Sequence, residues 1–269
     1  MFIALCADKG SPGVTTASLV LASAWRGPAL VVEADPAGGD LGIRLRAPGG
    51  SALPEVPTVL SVATAARANH GDDVVSRHAH QFTKGVAVVA APVAAEQLSG
   101  VGDWEPLAEV LASSALPVFA DLGRLHGGSR VMPVAAGADL VIVVGRPEPA
   151  SVIRLRDRLV RLAPELAAHR GGPPRLFALL IAPGRHGPGL VGDLGRILDD
   201  ATARPFVTGL GFLAHDPDAV QRIEVGEDSS GRLARGALMR SARVVVDDLT
   251  PLVAPPARSD VVAVRGGAR

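Results

Sequence analysis

Apolar runs of strand length alternate with segments of helical spacing along most of this chain. The runs that we predict as strands are Phe2–Ala7, Ala29–Ala34, Val86–Ala91, Pro117–Ala120, Leu140–Val144, Leu176–Ile181 and about Phe206–Leu213. Strands without polar alternation are buried on both faces, and parallel sheets reach that state when crossover helices cover both faces. The sequence therefore predicts a doubly wound, mostly parallel α/β sheet with helices on both faces.

The segments between these runs predict helices, loops and one domain. Helical spacing is clearest in Val14–Trp25, Val152–Leu162 and Gly231–Leu249, whereas Gly and Pro clusters at 171–174 and 184–189 predict loops. The least regular segment, 47–69, is compatible with short helices. Because 269 residues suffice for one large α/β domain, we predict a single domain over 1–250 and a flexible tail over 251–269.

Charge and cysteine content exclude several classes of protein. The 27 Lys and Arg residues balance 27 Asp and Glu residues, so no bulk positive field favours DNA or an acidic membrane. Cys6 is the single cysteine, which excludes an intramolecular disulfide and a Cys-based zinc site. No apolar run approaches the roughly 18 residues that span a bilayer, and no positive charge leads the apolar start of the chain. We expect a cytoplasmic protein without direct membrane insertion.

The loop between the first predicted strand and the first predicted helix has the composition of a phosphate-binding turn. It reads Asp8-Lys9-Gly10-Ser11-Pro12-Gly13-Val14-Thr15-Thr16. A Gly-containing turn at such a junction points backbone N–H groups at an anion, and the helix N-terminus adds partial positive charge. The hydroxyls of Thr15 and Thr16 can bind a phosphate oxygen or Mg²⁺. Against the P-loop pattern G-x-x-x-x-G-K-[ST], Gly13 and Thr15 fit, but Val14 stands at the position of the lysine.

This loop resembles the deviant Walker A motif of the ParA/MinD family of P-loop ATPases, K-G-G-x-G-K-[ST]-[ST]. Lys9 matches the family's signature lysine, Gly10 and Gly13 match glycines, and Thr15 and Thr16 match the hydroxyl pair, whereas Ser11 replaces a glycine and Val14 the second lysine. The chain has two lysines, Lys9 and Lys84, so the odds of a chance match at a named position are roughly 2 in 269.

Further landmarks of the same family follow in order over about residues 1–250. Residues 33–36 resemble the D-x-D-P end of the second strand, with Glu33 for the first Asp and Asp35 for the second. Asp121 matches the Walker B carboxylate, which holds a Mg²⁺-bound water in the family. Residues 138–149 resemble the next strand and loop, and residues 213–226 resemble the late strand and loop beside the base.

The resemblance implies that ATP and Mg²⁺ bind at this loop. The implied nucleotide-binding residues are Lys9, Gly10, Ser11, Gly13, Val14, Thr15 and Thr16. Thr15 and Asp121 are the implied Mg²⁺ residues, and Lys9 and Asp35 are the implied catalytic residues. In the family, the signature lysine reaches the phosphates of the partner across a dimer, so the resemblance also implies a homodimer in which Lys9 acts in trans.

Two departures from the family pattern predict weak or absent ATP hydrolysis. The missing amine at Val14 costs about 1.5–3 kcal/mol of phosphate binding, or 10- to 100-fold in affinity, and removes a cation that phosphoryl transfer needs. The Asn that the family places after the sixth strand to read adenine is absent from 181–185. We therefore expect a pseudo-ATPase that binds ATP and Mg²⁺ weakly.

The resemblance is greatest to the divergent CpaE/TadZ group, which serves secretion and pilus machines. It implies a dimeric positioning or assembly factor, switched by nucleotide or acting as a scaffold, with a protein partner in a membrane-associated machine. Two alternatives stay open: an active ParA-type ATPase that partitions DNA, and a scaffold that needs no nucleotide.

Two other clusters have both a functional and a structural interpretation. Arg154, Arg158 and Arg161 share a helical face that could contact DNA phosphates, although Asp157 and Glu165 favour a solvated face with ion pairs. A histidine cluster could ligate zinc, although its polar context favours a solvated loop or helix. Its members are His70, His78 and His80, near Asp72 and Asp73.

Overall fold

The computed structural model describes residues 1–68 and 73–253. Within these residues one sheet has the strand order β3-β4-β2-β5-β1-β6-β7-β8. The strands are β1 Phe2–Ala7, β2 Ala29–Glu33, β3 His80–Thr83, β4 Val86–Val89, β5 Val118–Arg124, β6 Leu140–Gly145, β7 Leu176–Ala182 and β8 Val207–Ala214. All neighbouring strands pair in parallel except β3 and β4, which pair antiparallel.

Helices cover both faces of this sheet. They are α1 Val14–Ala24, α2 Leu41–Arg44, α3 Val59–Arg67, α4 Val74–Arg77, α5 Ala95–Leu98, α6 Glu105–Ala112, α7 Met132–Gly137, α8 Pro149–Arg170, α9 Gly187–Asp199, α10 Pro217–Glu224, α11 Gly231–Ala234 and α12 Ala237–Val253, with 3₁₀ turns at Ser99–Val101 and Arg204–Phe206. One apolar core packs α3–α9 against the sheet, and a second packs α1, α2 and α10–α12 against the opposite face. The predicted doubly wound α/β fold is confirmed.

Within the described residues, sequence patterns located every strand except β3 and marked α1, α8 and α12, but they did not locate the start of α9. β3 is a short edge strand with only Phe82 buried, so it lacks the continuous apolar run by which the other strands were predicted. The loop prediction at 184–189 is wrong in its second half, because α9 begins at Gly187 with Pro188 in its first turn. Proline is tolerated there because the first-turn N–H groups have no partner within the helix.

The predicted tail lies mostly outside the described residues. α12 continues three residues into it, to Val253, and residues 254–269 are not among those described. His70 and Asp72 also lie outside the described residues. The division into a domain over 1–250 and a tail stays a prediction.

The strand order of the sheet reverses at β1. In sheets of this kind, the binding site lies where the order reverses. β1 lies between β5 and β6, and the chain runs first towards β2 and later to β6 on the other side. β1 is buried along its whole length, as its six apolar residues predict. In open parallel sheets, ligands bind at the carboxyl edge where the order reverses, and the Gly-containing loop of this chain begins there.

Candidate functional site

A cavity of about 750 Å³ opens at this edge of the sheet. Most of the site residues predicted from sequence line it, namely Gly10, Ser11, Gly13, Val14, Thr15, Thr16 and Asp35. Asp121 is buried beside Thr15, whereas Lys9 is exposed and does not line the cavity. The structure thus brings the predicted residues together, with the side chain of Lys9 outside the group.

A second cavity, of about 230 Å³, adjoins the first and has a more apolar wall. Ile181, Leu213, Val220 and Leu238 contribute apolar surface, and Gln221 contributes an amide. Pro12, Gly13, Thr16 and Arg146 line both cavities. A ligand with a flat apolar group and an anionic group would therefore place the two groups on either side of these shared residues.

The loop after β1 forms an anion cradle through its backbone. Gly13 is the N-cap of α1 with φ 112° and ψ 38°, a left-handed conformation that glycine adopts without strain. No side chain caps this end of the helix. The first N–H groups of α1 have no acceptor within the helix and, with the helix dipole, they favour an anion at this position.

Val14 contributes no charge to this cradle. It is 7% exposed and belongs to the apolar core on the α1 face, although it also lines the larger cavity. A branched apolar side chain is therefore well accommodated where the general P-loop has its lysine, and the positive potential at this position comes from the backbone dipoles at the start of α1.

Asp121 is a buried carboxylate with an unused acceptor. It is 1% exposed, and its Oδ1 accepts a hydrogen bond from the Gly123 N–H at 2.9 Å. Its Oδ2 is buried and accepts no hydrogen bond within residues 1–68 and 73–253. Burial raises the pKa of Asp121 to about 6, although the adjacent Thr15 hydroxyl and the Gly123 N–H oppose this rise. An oxygen-binding cation beside Thr15, or water bound to that cation, would satisfy the orphaned oxygen, so these residues fit Mg²⁺.

The raised pKa of Asp121 gives a pH dependence with a definite sign. Because the folded protein holds this proton more tightly than the unfolded chain, Asp121 stabilises the fold most below pH 4 and loses that contribution as the pH rises through about 6. Asp121→Asn imitates the protonated acid. In a chelator and without nucleotide, we expect this variant to gain stability relative to wild type as the pH rises from about 4 to about 6, with a constant difference above about pH 7, measured by urea unfolding. Asp218→Asn on the surface is the control, and an equal pH profile for Asp121→Asn and wild type would contradict the assignment.

Glu33 anchors the loop that forms the opposite wall. It is 1% exposed, and its carboxylate accepts backbone N–H bonds from Asp40 at 2.9 Å, Leu41 at 3.2 Å and Ala91 at 2.9 Å. Burial raises its pKa to about 7, the three N–H donors oppose this rise, and the charge of Asp121 adds to it. Sequence reasoning treated Glu33 only as a replacement for a family Asp and missed this structural role.

Asp35 lies next to Gly123 across the cavity wall. Its Oδ1 accepts the Ala37 N–H at 2.8 Å, burial raises its pKa, and the charge of Arg124 opposes that rise. Gly123 has φ 58°, and a β-carbon there would overlap the Asp35 carboxylate. The close approach of these two residues requires glycine at position 123.

Three arginines missed by sequence reasoning line the larger cavity: Arg44, Arg124 and Arg146. Arg44 donates to Asp40 Oδ1 at 3.1 Å and Thr16 Oγ1 at 3.2 Å, and it forms an ion pair with Glu224. This network ties α2 to α1 and α10. Arg146 could have been found from topology, because it directly follows β6 beside β1, but no sequence pattern marks Arg44.

The predicted arginine face on α8 is wrong at its centre. The side chain of Arg158 is 3% exposed and forms an ion pair with Glu165, because α8 turns this position towards the sheet together with Leu155 and Leu162. Arg154 is exposed, and Arg161 Nη2 lies 3.7 Å from Asp8 Oδ1. The three arginines therefore do not form one solvated surface.

The described members of the histidine cluster bond to the backbone. His78 Nδ1 lies 2.8 Å from the Val74 carbonyl oxygen, and His80 Nε2 lies 2.9 Å from that of Pro57. Over the described ranges, 1–68 and 73–253, no group of three or more His, Cys, Asp or Glu residues is arranged to hold a metal ion. Over the same ranges, no helix combines the length and apolar composition needed to cross a membrane.

Comparison with known proteins identifies this architecture. No protein-family model and no curated protein matches the sequence. Among solved structures, a ParA family ATPase from Chlorobium tepidum TLS is 14% identical with a TM-score of 0.69, over 91% of this chain and 98% of that one. The Pyrococcus furiosus cell division ATPase MinD is 17% identical with a TM-score of 0.64, over 93% and 98%. A Cyanothece McdA variant in complex with ATP is 14% identical with a TM-score of 0.62, over 93% and 96%. This chain therefore has the fold of the ParA/MinD-type P-loop ATPases.

Proposed function

We propose that this chain is a ParA/MinD-like positioning or assembly factor that binds ATP and Mg²⁺ weakly and hydrolyses ATP slowly or not at all. The observation that carries the proposal is that the uncapped N-terminus of α1 and Thr15 line one cavity, with the orphaned Asp121 Oδ2 buried beside Thr15. A McdA variant of similar fold was solved as a complex with ATP, and this supports ATP as the ligand.

Each residue has a limited role in this proposal. Backbone N–H groups at the start of α1 bind phosphate oxygens, Thr15 and Asp121 hold Mg²⁺ directly or through water, and the smaller cavity receives the base. Bound Mg²⁺ supplies charge neutralisation at the phosphates. With Val14 apolar, the chain offers no lysine to the transferring phosphoryl group from its own loop, so turnover is slow.

The proposal includes a homodimer in which Lys9 of one copy contacts the phosphates bound to the other. Lys9 is exposed and lies outside the cavity of its own protomer, so its amine is available to the phosphates of a second copy. We expect Lys9→Ala to weaken ATP-dependent dimerisation by about 100-fold, because a symmetric dimer loses two charge-assisted hydrogen bonds worth about tenfold each. Sedimentation with and without ATP and Mg²⁺ measures this. Lys84→Ala removes the other lysine, which is also exposed, and serves as the control. Equal dimerisation of all three proteins with ATP would contradict the role of Lys9.

Calorimetric titration with ATP and Mg²⁺, together with a turnover assay, tests the function. We expect weak binding with turnover far below ordinary ATPase rates. Ordinary turnover that Lys9→Ala abolishes would establish the active ATPase instead. If no binding is detected at millimolar nucleotide, the remaining interpretation is a scaffold that needs no nucleotide.

The proposed partner is a protein of a membrane-associated machine, such as a secretion or pilus assembly, rather than DNA. The burial of Arg158 supports this choice, because it removes the centre of the surface that DNA phosphates would contact. Salt-dependent DNA binding that is lost when Arg154 and Arg161 are changed to Glu would overturn it.

A further inference from the structure

Arg146 leaves the sheet at the same edge as the phosphate-binding loop. It follows β6, which pairs with β1 from Ile3↔Leu140 to Cys6↔Val143, so the two strands end side by side. The Arg146 N–H donates to Ser151 Oγ at 2.9 Å, and Pro147 restricts the backbone that follows. The start of this side chain is therefore held in place beside the loop.

Among the described residues, the guanidinium of Arg146 is unpaired, whereas that of Arg44 in the same cavity is paired with carboxylates. Arg44 is bound by Asp40 and Glu224, and Arg124 lies close enough to Asp35 to affect its pKa. The Arg146 side chain has no hydrogen bond or ion pair with any residue in 1–68 or 73–253, although it is only partly exposed. An unpaired guanidinium in a cavity that also contains carboxylates is a cation placed for an anionic ligand.

The position of Arg146 specifies which part of a ligand it would contact. It is shared by the larger cavity and the smaller apolar cavity, together with Pro12, Gly13 and Thr16. If the base of a nucleotide lies in the smaller cavity and its terminal phosphates lie in the larger one, its sugar and inner phosphates lie at this junction.

We infer that Arg146 binds the inner phosphates of the nucleotide and supplies within the protomer the positive charge that Val14 does not. The inference rests on the proposed function, since it requires that the cavity binds a nucleotide. An arginine suits this task because its planar fork can donate two parallel hydrogen bonds to one phosphate. Lys9 from a second copy and Arg146, which follows the strand next to β1, would thus serve the same phosphates from two directions.

The test compares the binding of ADP with Mg²⁺ and the binding of adenosine, by calorimetric titration, in wild type and Arg146→Gln. We expect Arg146→Gln to weaken ADP binding about tenfold, the lower end of the range for a charge-assisted bond because the site is partly exposed. Adenosine affinity should not change, and the slope of log Kd against log salt should fall. Arg146→Lys should recover part of the loss. Arg154→Gln, an exposed arginine on α8 that lines neither cavity, is the matched control.

The outcomes separate this inference from the proposed function. If wild type binds ADP and Arg146→Gln binds it equally well, the inference is wrong and the proposed function stands. If Arg146→Gln loses adenosine and ADP to the same extent, Arg146 does not act on the phosphates and the inference is also wrong. If wild type binds neither ligand at millimolar concentration, both the proposed function and the inference fail.

Discussion

Val14→Lys is expected to tighten the binding of ATP and Mg²⁺ by about 10- to 100-fold. The new amine adds one charge-assisted contact to phosphate, worth about 1.5–3 kcal/mol. Val14 lies at the first position of α1 and lines the larger cavity, so the aliphatic stem of a lysine can follow the valine while its amine enters the cavity. Because Val14 is 7% exposed, the variant should also lose some stability without ligand.

Val14→Met is the control for this experiment, because it adds length without charge. Calorimetric titration should show tighter binding for the lysine variant alone, and its turnover should rise because the amine can stabilise charge on the transferring phosphoryl group. If the lysine and methionine variants bind ATP equally, the loop does not hold nucleotide phosphates and the proposed function loses its main support.

The same substitution also probes Arg146. If the two cations serve the same phosphates, Val14→Lys should increase ADP affinity by a larger factor in Arg146→Gln than in wild type. The two changes would then be non-additive, as expected for groups that share one ligand. Simple additivity would place their effects on separate parts of the nucleotide.

The order of the elements could be predicted from sequence because it depends on local patterns. Continuous apolar runs locate the buried strands β1, β2 and β4–β8. Glycine at positions 10 and 13 marks the phosphate-binding turn. The edge strand β3 has no such run, and the proline and glycines at the start of α9 resemble a loop until the helix that they open is known. Position at the edge of the sheet explains the missed strand β3.

Arg44 could not be predicted as a residue of the site, because it meets its partners only through the packing of distant elements. Arg44 and Glu224 are 180 residues apart in the chain and meet only when α10 packs beside α2. The helical spacing of Arg158 is compatible with a solvated face of α8 and also with a buried one. Only the packing of α8 shows which face Arg158 belongs to. The pairing of Asp121 with Thr15 was accessible by contrast, since Asp121 lies on β5 and Thr15 belongs to the motif that follows the neighbouring strand β1.

Glu33→Ala is expected to lower the free energy of unfolding by about 3–5 kcal/mol. Glu33 accepts three backbone N–H bonds, from Asp40, Leu41 and Ala91, and an alanine leaves all three donors without that acceptor. An unsatisfied buried donor costs about 1–3 kcal/mol, and water entering from the adjoining cavity should offset part of the total. Glu33→Asp should behave similarly, because its shorter side chain cannot reach both Ala91 and the loop at 40–41.

Urea unfolding measures this loss, and Asp35→Ala is the matched control. Asp35 stands two residues further along the same edge, accepts one backbone N–H, from Ala37, and is less buried, so its removal should cost about 1 kcal/mol. Amide hydrogen exchange adds a local readout: the N–H groups of Asp40, Leu41 and Ala91 should exchange faster in Glu33→Ala than in Asp35→Ala. A loss below about 1 kcal/mol, or unchanged exchange at these three amides, would contradict the anchoring role.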